Sequence, residues 1–285
     1  MRIEFSKMQG CGNDYIYINC IDKMIDNPSK LSIIMSKRHF EVGSDGLVLI
    51  CKSDKADAKM RMFNLDGSEG KMCGNAIRCI GKYLYDKNIV CKKEIAIETL
   101  SGIIYLTLHT NDLDKVCYVT VDMGYASFKP SDIGLTVGRK IINEAHTIND
   151  KKYNITCVSM GNPHMVIYEN NIKDLDLDKI GPKFENYPIF ENRVNTEFVE
   201  KISDTELNMR VFERGSGETY ACGTGACAVV SASVKNGVCK PDTFVKVNLI
   251  GGTLEIKVTT DFHVFMKGPA RLVYEGVYEY EENQS

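Results

Sequence analysis

Met60–Ala76 reads MRMFNLDGSEGKMCGNA and Met209–Gly225 reads MRVFERGSGETYACGTG, and the two stretches align without a gap. Met60 falls on Met209, Arg61 on Arg210, Phe63 on Phe212, Glu69 on Glu218, Cys73 on Cys222 and Gly74 on Gly223. The offset is 149 residues (222 − 73), and upstream it carries Gly12-Asn13 onto Gly161-Asn162. A constant offset over such a span implies a duplicated domain. Each copy ends in a Cys-Gly turn. Two such domains with pseudo-twofold symmetry can aim equivalent cysteines at one point from opposite sides. Inverting a stereocentre requires that arrangement.

Outward from these stretches the local pattern repeats. Asn27-Pro28 caps a helix expected over Ser29–Phe40. Strands are expected at Leu47–Cys51, Lys59–Asn64, Glu94–Thr99, Ile103–His109 and Val116–Asp122. From Gly74, the residues Ala76, Ile77, Ile80, Tyr83 and Leu84 recur at helical spacing, with a stop near Lys87-Asn88. The second half repeats the plan. Strands are expected at Ile155–Met160, His164–Tyr168 and Leu207–Glu213, then an alanine-rich helix over Ala226–Asn236 closed by Gly237. A strand-rich tail runs through Phe244–Tyr280. Many strands around few helices give an α+β chain, and an apolar helix directly after each Cys-Gly turn belongs inside a wrapped sheet. No linker separates the halves, so a cleft between packed domains is the expected site. We place the domains at residues 1–120 plus 270–285 and at 121–269.

The 285 residues suit about two domains, and 44% hydrophobic with 26% charged residues suits two ordinary cores. A net charge of −3 gives no reason to expect nucleic acid or an anionic membrane surface as partner. No apolar run approaches the ~20 residues of a membrane span, and the N-terminus lacks the apolar core of a signal peptide. The eleven cysteines are odd in number and include no C-x-x-C, and the Cys73/Cys79 and Cys222/Cys227 spacings do not suit zinc. They read as thiols of a reducing cytoplasm, with no metal implied. Cys20, Cys51, Cys117 and Cys157 sit among apolar neighbours and are expected to be buried.

Cys73 and Cys222 each stand where a turn enters a helix N-terminus. Unpaired N–H groups and the positive dipole end favour an anion there, and the same field is expected to lower a thiol pKa toward neutrality. A lone Cys-Gly before a helix is more often a buried cysteine. Two in matching places of a duplicated unit reverse that balance. The amides around Gly74-Asn75 and Gly223-Thr224 would form two anion cradles for one substrate carboxylate. They would stabilise the charge that develops when the weakly acidic Cα proton leaves. One cysteine then serves as thiolate base and the other as thiol acid, with roles exchanged for the opposite configuration.

The elements SKMQGCGNDY, FNLDGSE, MCGNAIRC, SMGNPH, ENRVNTEF, ERGSGET and ACGTGACA, in that order over nearly the whole chain, resemble diaminopimelate epimerase. The resemblance implies a cofactor-independent two-base epimerase that converts LL-2,6-diaminopimelate to the meso form, in lysine and peptidoglycan precursor synthesis. It implies two pseudo-symmetric domains, each a barrel-like, mostly antiparallel sheet around a central helix, with the active site between them. The thiols correspond to Cys73 and Cys222. The substrate-binding positions correspond to Asn13, Asn64, Gly74, Asn75, Asn162, Asn195, Glu213, Arg214, Gly223 and Thr224, and those that tune the thiols to His164 and Glu213. An asparagine set can hold amino and carboxylate groups without adding net charge, and Arg214 can form a fork with a distal carboxylate. Taken alone, each asparagine would read as a turn former and His164 as structural. His39, His109, His146 and His263 are expected to be structural or exposed.

Ala76 stands where the family usually has a second glycine, and Gly46 where some members carry a glutamine ligand. The expected partner is a small amino-acid substrate, and a homodimer is compatible with the resemblance. A related racemase acting on proline, histidine or lanthionine is the nearest alternative. Cys73-Gly74-Asn75 differs from the Cys-Gly-His usual in proline racemase-like enzymes. A non-catalytic binder on the same fold would need neither thiol.

Overall fold

The computed structural model describes residues 2–280. Met1 and residues 281–285, assigned above to the first domain, lie outside them. The chain divides into two compact units. One comprises the chain up to Val121 and its return from Gly268, and the other Asp122–Lys267.

In the first unit, the strand Arg2–Gly10 pairs antiparallel with Arg271–Glu279 on one side and Asn13–Cys20 on the other. Asn13–Cys20 runs parallel to Gly46–Cys51, which pairs antiparallel with Ala58–Asn64. Ala58–Asn64 lies parallel to Glu94–Thr99, and the antiparallel strands Gly102–Thr110 and Val116–Tyr125 complete the series. Gly46–Cys51 is buried along its whole length, hence its unbroken apolar run GLVLIC. The helix Gly74–Asp86 contacts Arg2–Gly10, Asn13–Cys20, Gly102–Thr110 and Arg271–Glu279, so the sheet curls around it. The expected Ser29–Phe40 helix is shorter, Pro28–Met35, with Asn27 accepting from the Lys30 amide as its cap. Gly43 and Ser44 donate to the Met35 and Ser36 carbonyls, closing the helix where periodicity alone would continue it.

The second unit follows the same registers 149 residues later. Pro163–Tyr168 runs parallel to Asn195–Ser203, with Val166 opposite Glu197 as Tyr17 is opposite Val48. Thr196 pairs with Phe212 as Leu47 does with Phe63. Arg210 forks onto Glu218 at 2.7 and 2.8 Å, and Arg61 onto Glu69 at 2.7 and 3.0 Å. The duplication is thus written in hydrogen bonds as well as in sequence. The helix Gly223–Lys235, buried for most of its length, packs against Lys151–Ser159, Pro163–Tyr168, Asn195–Ser203 and Gly252–Val258. Both helices start two or three residues before their first periodic apolar residue, at the glycine after the cysteine. Most pairings in both units are antiparallel, as expected.

A further helix, not expected from the sequence, runs over Leu177–Glu185 with Pro182 inside it. Asp176 caps it, and Gly181 lies where a Cβ would meet the Phe212 ring at 2.2 Å. The glycine is a packing requirement, not a turn. Of the cysteines expected to be buried, Cys117 is half-exposed, with Sγ against the His109 carbonyl at 3.3 Å. His146 and His263 pair with Glu144 and Asp122, His109 bonds Thr120, and His39 is exposed.

Candidate active site

Each cysteine is the N-cap of its helix, in extended backbone conformation, so its sulfur stands at the end where helical amides are unpaired. Around Cys73 the first unit gathers Asn13, Asn75, Tyr15 and Arg78. Asn13 Nδ2 donates to Asp45 at 2.7 Å, and this turns its Oδ1 toward Cys73 Sγ at 3.6 Å and Asn75 Nδ2 at 3.5 Å. Asp45 is itself held by Arg38, which also pairs with Asp14; Lys7, buried, pairs with Asp14 and donates to the Gly43 carbonyl. This charged cluster was not foreseen. It is the scaffold that orients Asn13.

Arg78 is fully buried. Its Nη1 donates to the Gly74 carbonyl and its Nε to the Pro269 carbonyl, both at 3.1 Å. Burial pushes the Cys73 thiol above its ordinary value, against the pull of the Ala76 and Asn75 amides, the Arg78 cation and the Tyr15 hydroxyl. The expectation of a thiol lowered toward neutrality is therefore corrected. The helix end does favour the thiolate, but desolvation outweighs it. Asn64, at the end of its strand, is engaged locally with Ser68 at 3.0 Å.

Around Cys222 the second unit gathers Thr224, Asn162, His164 and Glu197. Sγ accepts from the Gly225 amide at 3.3 Å and lies 3.5 Å from Thr224 Oγ1. Asn162 Nδ2 donates to Thr224 Oγ1 at 3.4 Å, and Asn162 Oδ1 faces His164 Nε2 at 3.0 Å. His164 Nδ1 stands 2.6 Å from Glu197 Oε1, and both residues are fully buried. The Cys222 thiol is pushed well above its ordinary value by burial, with the Glu213 and Glu197 carboxylates adding to the rise. The two thiols thus differ: a cation favours ionisation of Cys73, and two acids oppose it at Cys222.

Asn195, Glu213 and Arg214 form an adjoining group. Asn195 Oδ1 accepts from the Arg214 amide at 2.8 Å, and its Nδ2 donates to the Pro163 carbonyl at 3.1 Å. Glu213 accepts from the Thr219 hydroxyl. The Arg214 side chain is exposed, with Nη1 donating to the Asn192 carbonyl at 3.1 Å. Glu185, another residue sequence reasoning missed, anchors this turn by accepting from Gly215 N and Arg193 Nη1, each at 2.8 Å. Gly46, where some relatives have glutamine, is buried with φ 153°, and a Cβ there would sit 2.1 Å from the Phe63 carbonyl oxygen. This backbone has no room for the glutamine.

The fold is shared with several solved structures. A phenazine biosynthesis PhzF-family protein from Bacillus anthracis superposes with a TM-score of 0.72 over 98% of this chain and 100% of its own, at 15% identity. A hydroxyproline epimerase from Agrobacterium vitis gives 0.68 over 97% and 91%, at 11% identity. Sequence narrows the class. The diaminopimelate epimerase family profile matches residues 5–129 and 156–273. A diaminopimelate epimerase of Acetivibrio thermocellus is 52% identical over 98% of this chain and 100% of its own length. One from Methanococcus maripaludis is 52% identical over 96% and 99%. The chain belongs to the diaminopimelate epimerase family.

Proposed function

We propose that this protein interconverts LL- and meso-2,6-diaminopimelate by a two-base mechanism, with Cys73 and Cys222 as the acid–base pair. The observation that carries the reading is the repeated cysteine N-cap, one per unit, in a chain about half identical over nearly its whole length to proteins named for this reaction. The substrate α-carboxylate would sit against the amides of Gly74-Asn75 and Gly223-Thr224, where helix ends favour negative charge. As one sulfur, ionised, takes the Cα proton, charge spreads into that carboxylate and the amides stabilise it. The other thiol returns a proton to the opposite face and is left as thiolate, so the reverse reaction starts from the exchanged state. No proton is gained or lost overall.

Asn13, Asn64, Asn162, Asn195 and Glu213 would hold the amino and carboxylate groups, and Arg214 the distal carboxylate. Burial raises both thiols, so the substrate's arrival and the exclusion of water matter to which sulfur is ionised. The eleven free thiols suit a reducing cytoplasm. The test is deuterium wash-in at Cα with chiral chromatography on the parent, Cys73→Ala and Cys222→Ala. Each variant should lose epimerisation. Near-parental epimerisation by either would refute the two-base assignment, and equal turnover of proline, histidine or lanthionine would refute the substrate.

A further inference from the structure

Glu197 is fully buried and takes no part in the reaction proposed above. Its neighbours fix the hydrogen-bond sense of a chain that ends at the Cys222 sulfur. Asn162 Nδ2 donates to Thr224, so Asn162 presents its carbonyl oxygen to His164 Nε2. That oxygen only accepts, and Nε2 must therefore carry a proton. The other ring nitrogen faces Glu197 Oε1 at 2.6 Å, which leaves a single proton to lie between them. Glu197 Oε2 is buried without a hydrogen-bond partner among the described residues, so a full carboxylate charge is poorly supported. Burial raises the Glu197 carboxyl, the His164 ring lowers it, and Glu213 raises it further.

The first unit shows what ordinary packing would place here. At the 149-residue offset, Val48 stands for Glu197, Tyr15 for His164 and Ala76 for Gly225. Room for the carboxyl comes from Gly225, where a Cβ would lie 2.8 Å from Glu197 Oε1. A buried acid in place of valine, with a glycine opposite it, is a costly substitution for packing alone.

We propose that Glu197 is a positioning residue: by sharing one proton with His164 it holds the ring with Nε2–H toward Asn162, and so keeps Asn162 and Thr224 in register with the Cys222 sulfur. This rests on the reading of Cys222 as an acid–base group in diaminopimelate epimerisation. The titratable groups facing Glu197 are His164 from the neighbouring strand, Glu213 from the adjoining one, and Cys222 from the helix end.

The test uses the full chain labelled with 15N-histidine, with the His164 signal assigned by its loss in His164→Gln. The parent should show a protonated Nε2 together with an Nδ1 held in the short hydrogen bond to Glu197. Glu197→Val, which copies the first unit, should lose that state and lower kcat about tenfold or more with KM changed less than about threefold. Glu197→Gln, whose amide can donate to Nδ1, should restore the Nδ1 hydrogen bond and most of kcat while flattening the pH profile. An unprotonated Nε2 in the parent overturns the proposal, and this holds even if the valine variant fails to fold. So does a folded Glu197→Val with parental kcat and pH profile. Absence of Cα exchange in the parent would instead overturn the epimerase reading, and is seen before any variant is compared.

Discussion

Replacing Arg78 by methionine tests the electrostatic asymmetry between the two thiols. The side chain is fully buried and donates to the Gly74 and Pro269 carbonyls. Methionine is unbranched and uncharged, is shorter, and carries no donor. Each carbonyl left without its donor costs about 1–3 kcal/mol, so the two together cost about 2–6 kcal/mol. Burying a thioether in place of a cation returns part of this, because the guanidinium's desolvation no longer opposes folding. We expect a net loss of about 2–4 kcal/mol, inside the ~5–15 kcal/mol that a folded protein commands.

The second effect is on Cys73. Arg78 favours its thiolate, so removal raises the thiol further, and the thiolate fraction at fixed pH falls. Cys222, in the other unit, takes its largest charge contributions from Glu213 and Glu197 and should not respond. Urea denaturation measures the first effect. Iodoacetamide labelling followed by peptide mapping measures the second, with Cys222 as internal reference. A stability loss below about 1 kcal/mol would refute the hydrogen-bond accounting. An unchanged Cys73 to Cys222 labelling ratio would show that Arg78 does not govern the Cys73 sulfur.

Arg214→Met should weaken substrate binding by about 1.5–3 kcal/mol if its guanidinium pairs with the distal carboxylate, read as a rise in KM with diaminopimelate. A KM within threefold of the parent would remove Arg214 from the pocket. If the two sulfurs converge on one Cα, mild oxidation should link Cys73 to Cys222 and abolish activity, and a thiol reductant should restore it; peptide mapping that finds the inactive form without this cross-link would refute the convergence. Both thiols ionise at higher pH in the folded than in the unfolded chain, so their contribution to stability is whole below the unfolded thiol value of 9.0 and declines as pH rises through it. The urea midpoint should accordingly fall from about pH 8.5 upward, and a flat midpoint to pH 10 would contradict the raised thiols.

The sequence carried the duplication, the two helix starts and the cysteines because each depends on residues close together in the chain. Cys-Gly before an apolar helix is a local signal, and a second copy at a fixed offset multiplies it. What it hid were groups whose meaning lies in contacts across strands. Asp45 orients Asn13 from 32 residues away, and Glu185 anchors Gly215 from 30. Neither has a spacing that could be read. The thiol environment was misjudged for a related reason. A helix end is visible in sequence, but the burial that opposes it is a property of the folded unit.

The repeat itself is informative where it fails. The pairings at Tyr17–Val48 and Val166–Glu197 are equivalent in register, yet one is apolar and the other brings an acid beside an imidazole. Likewise position 78 is a buried arginine, whereas its counterpart at the same offset is Cys227, buried in an apolar helix. Backbone geometry is thus kept in both units while the groups beside each sulfur differ: the Arg78 cation at Cys73, and Glu213 with the His164–Glu197 pair at Cys222. Two identical half-sites would hold their thiols in the same protonation state, and a two-base inversion cannot start from two thiols or from two thiolates. It needs one of each. On the proposed two-base reading, unequal surroundings would bias which sulfur gives up its proton first; the repeat has lost its symmetry at Arg78 and Glu197 while keeping it at Cys73 and Cys222.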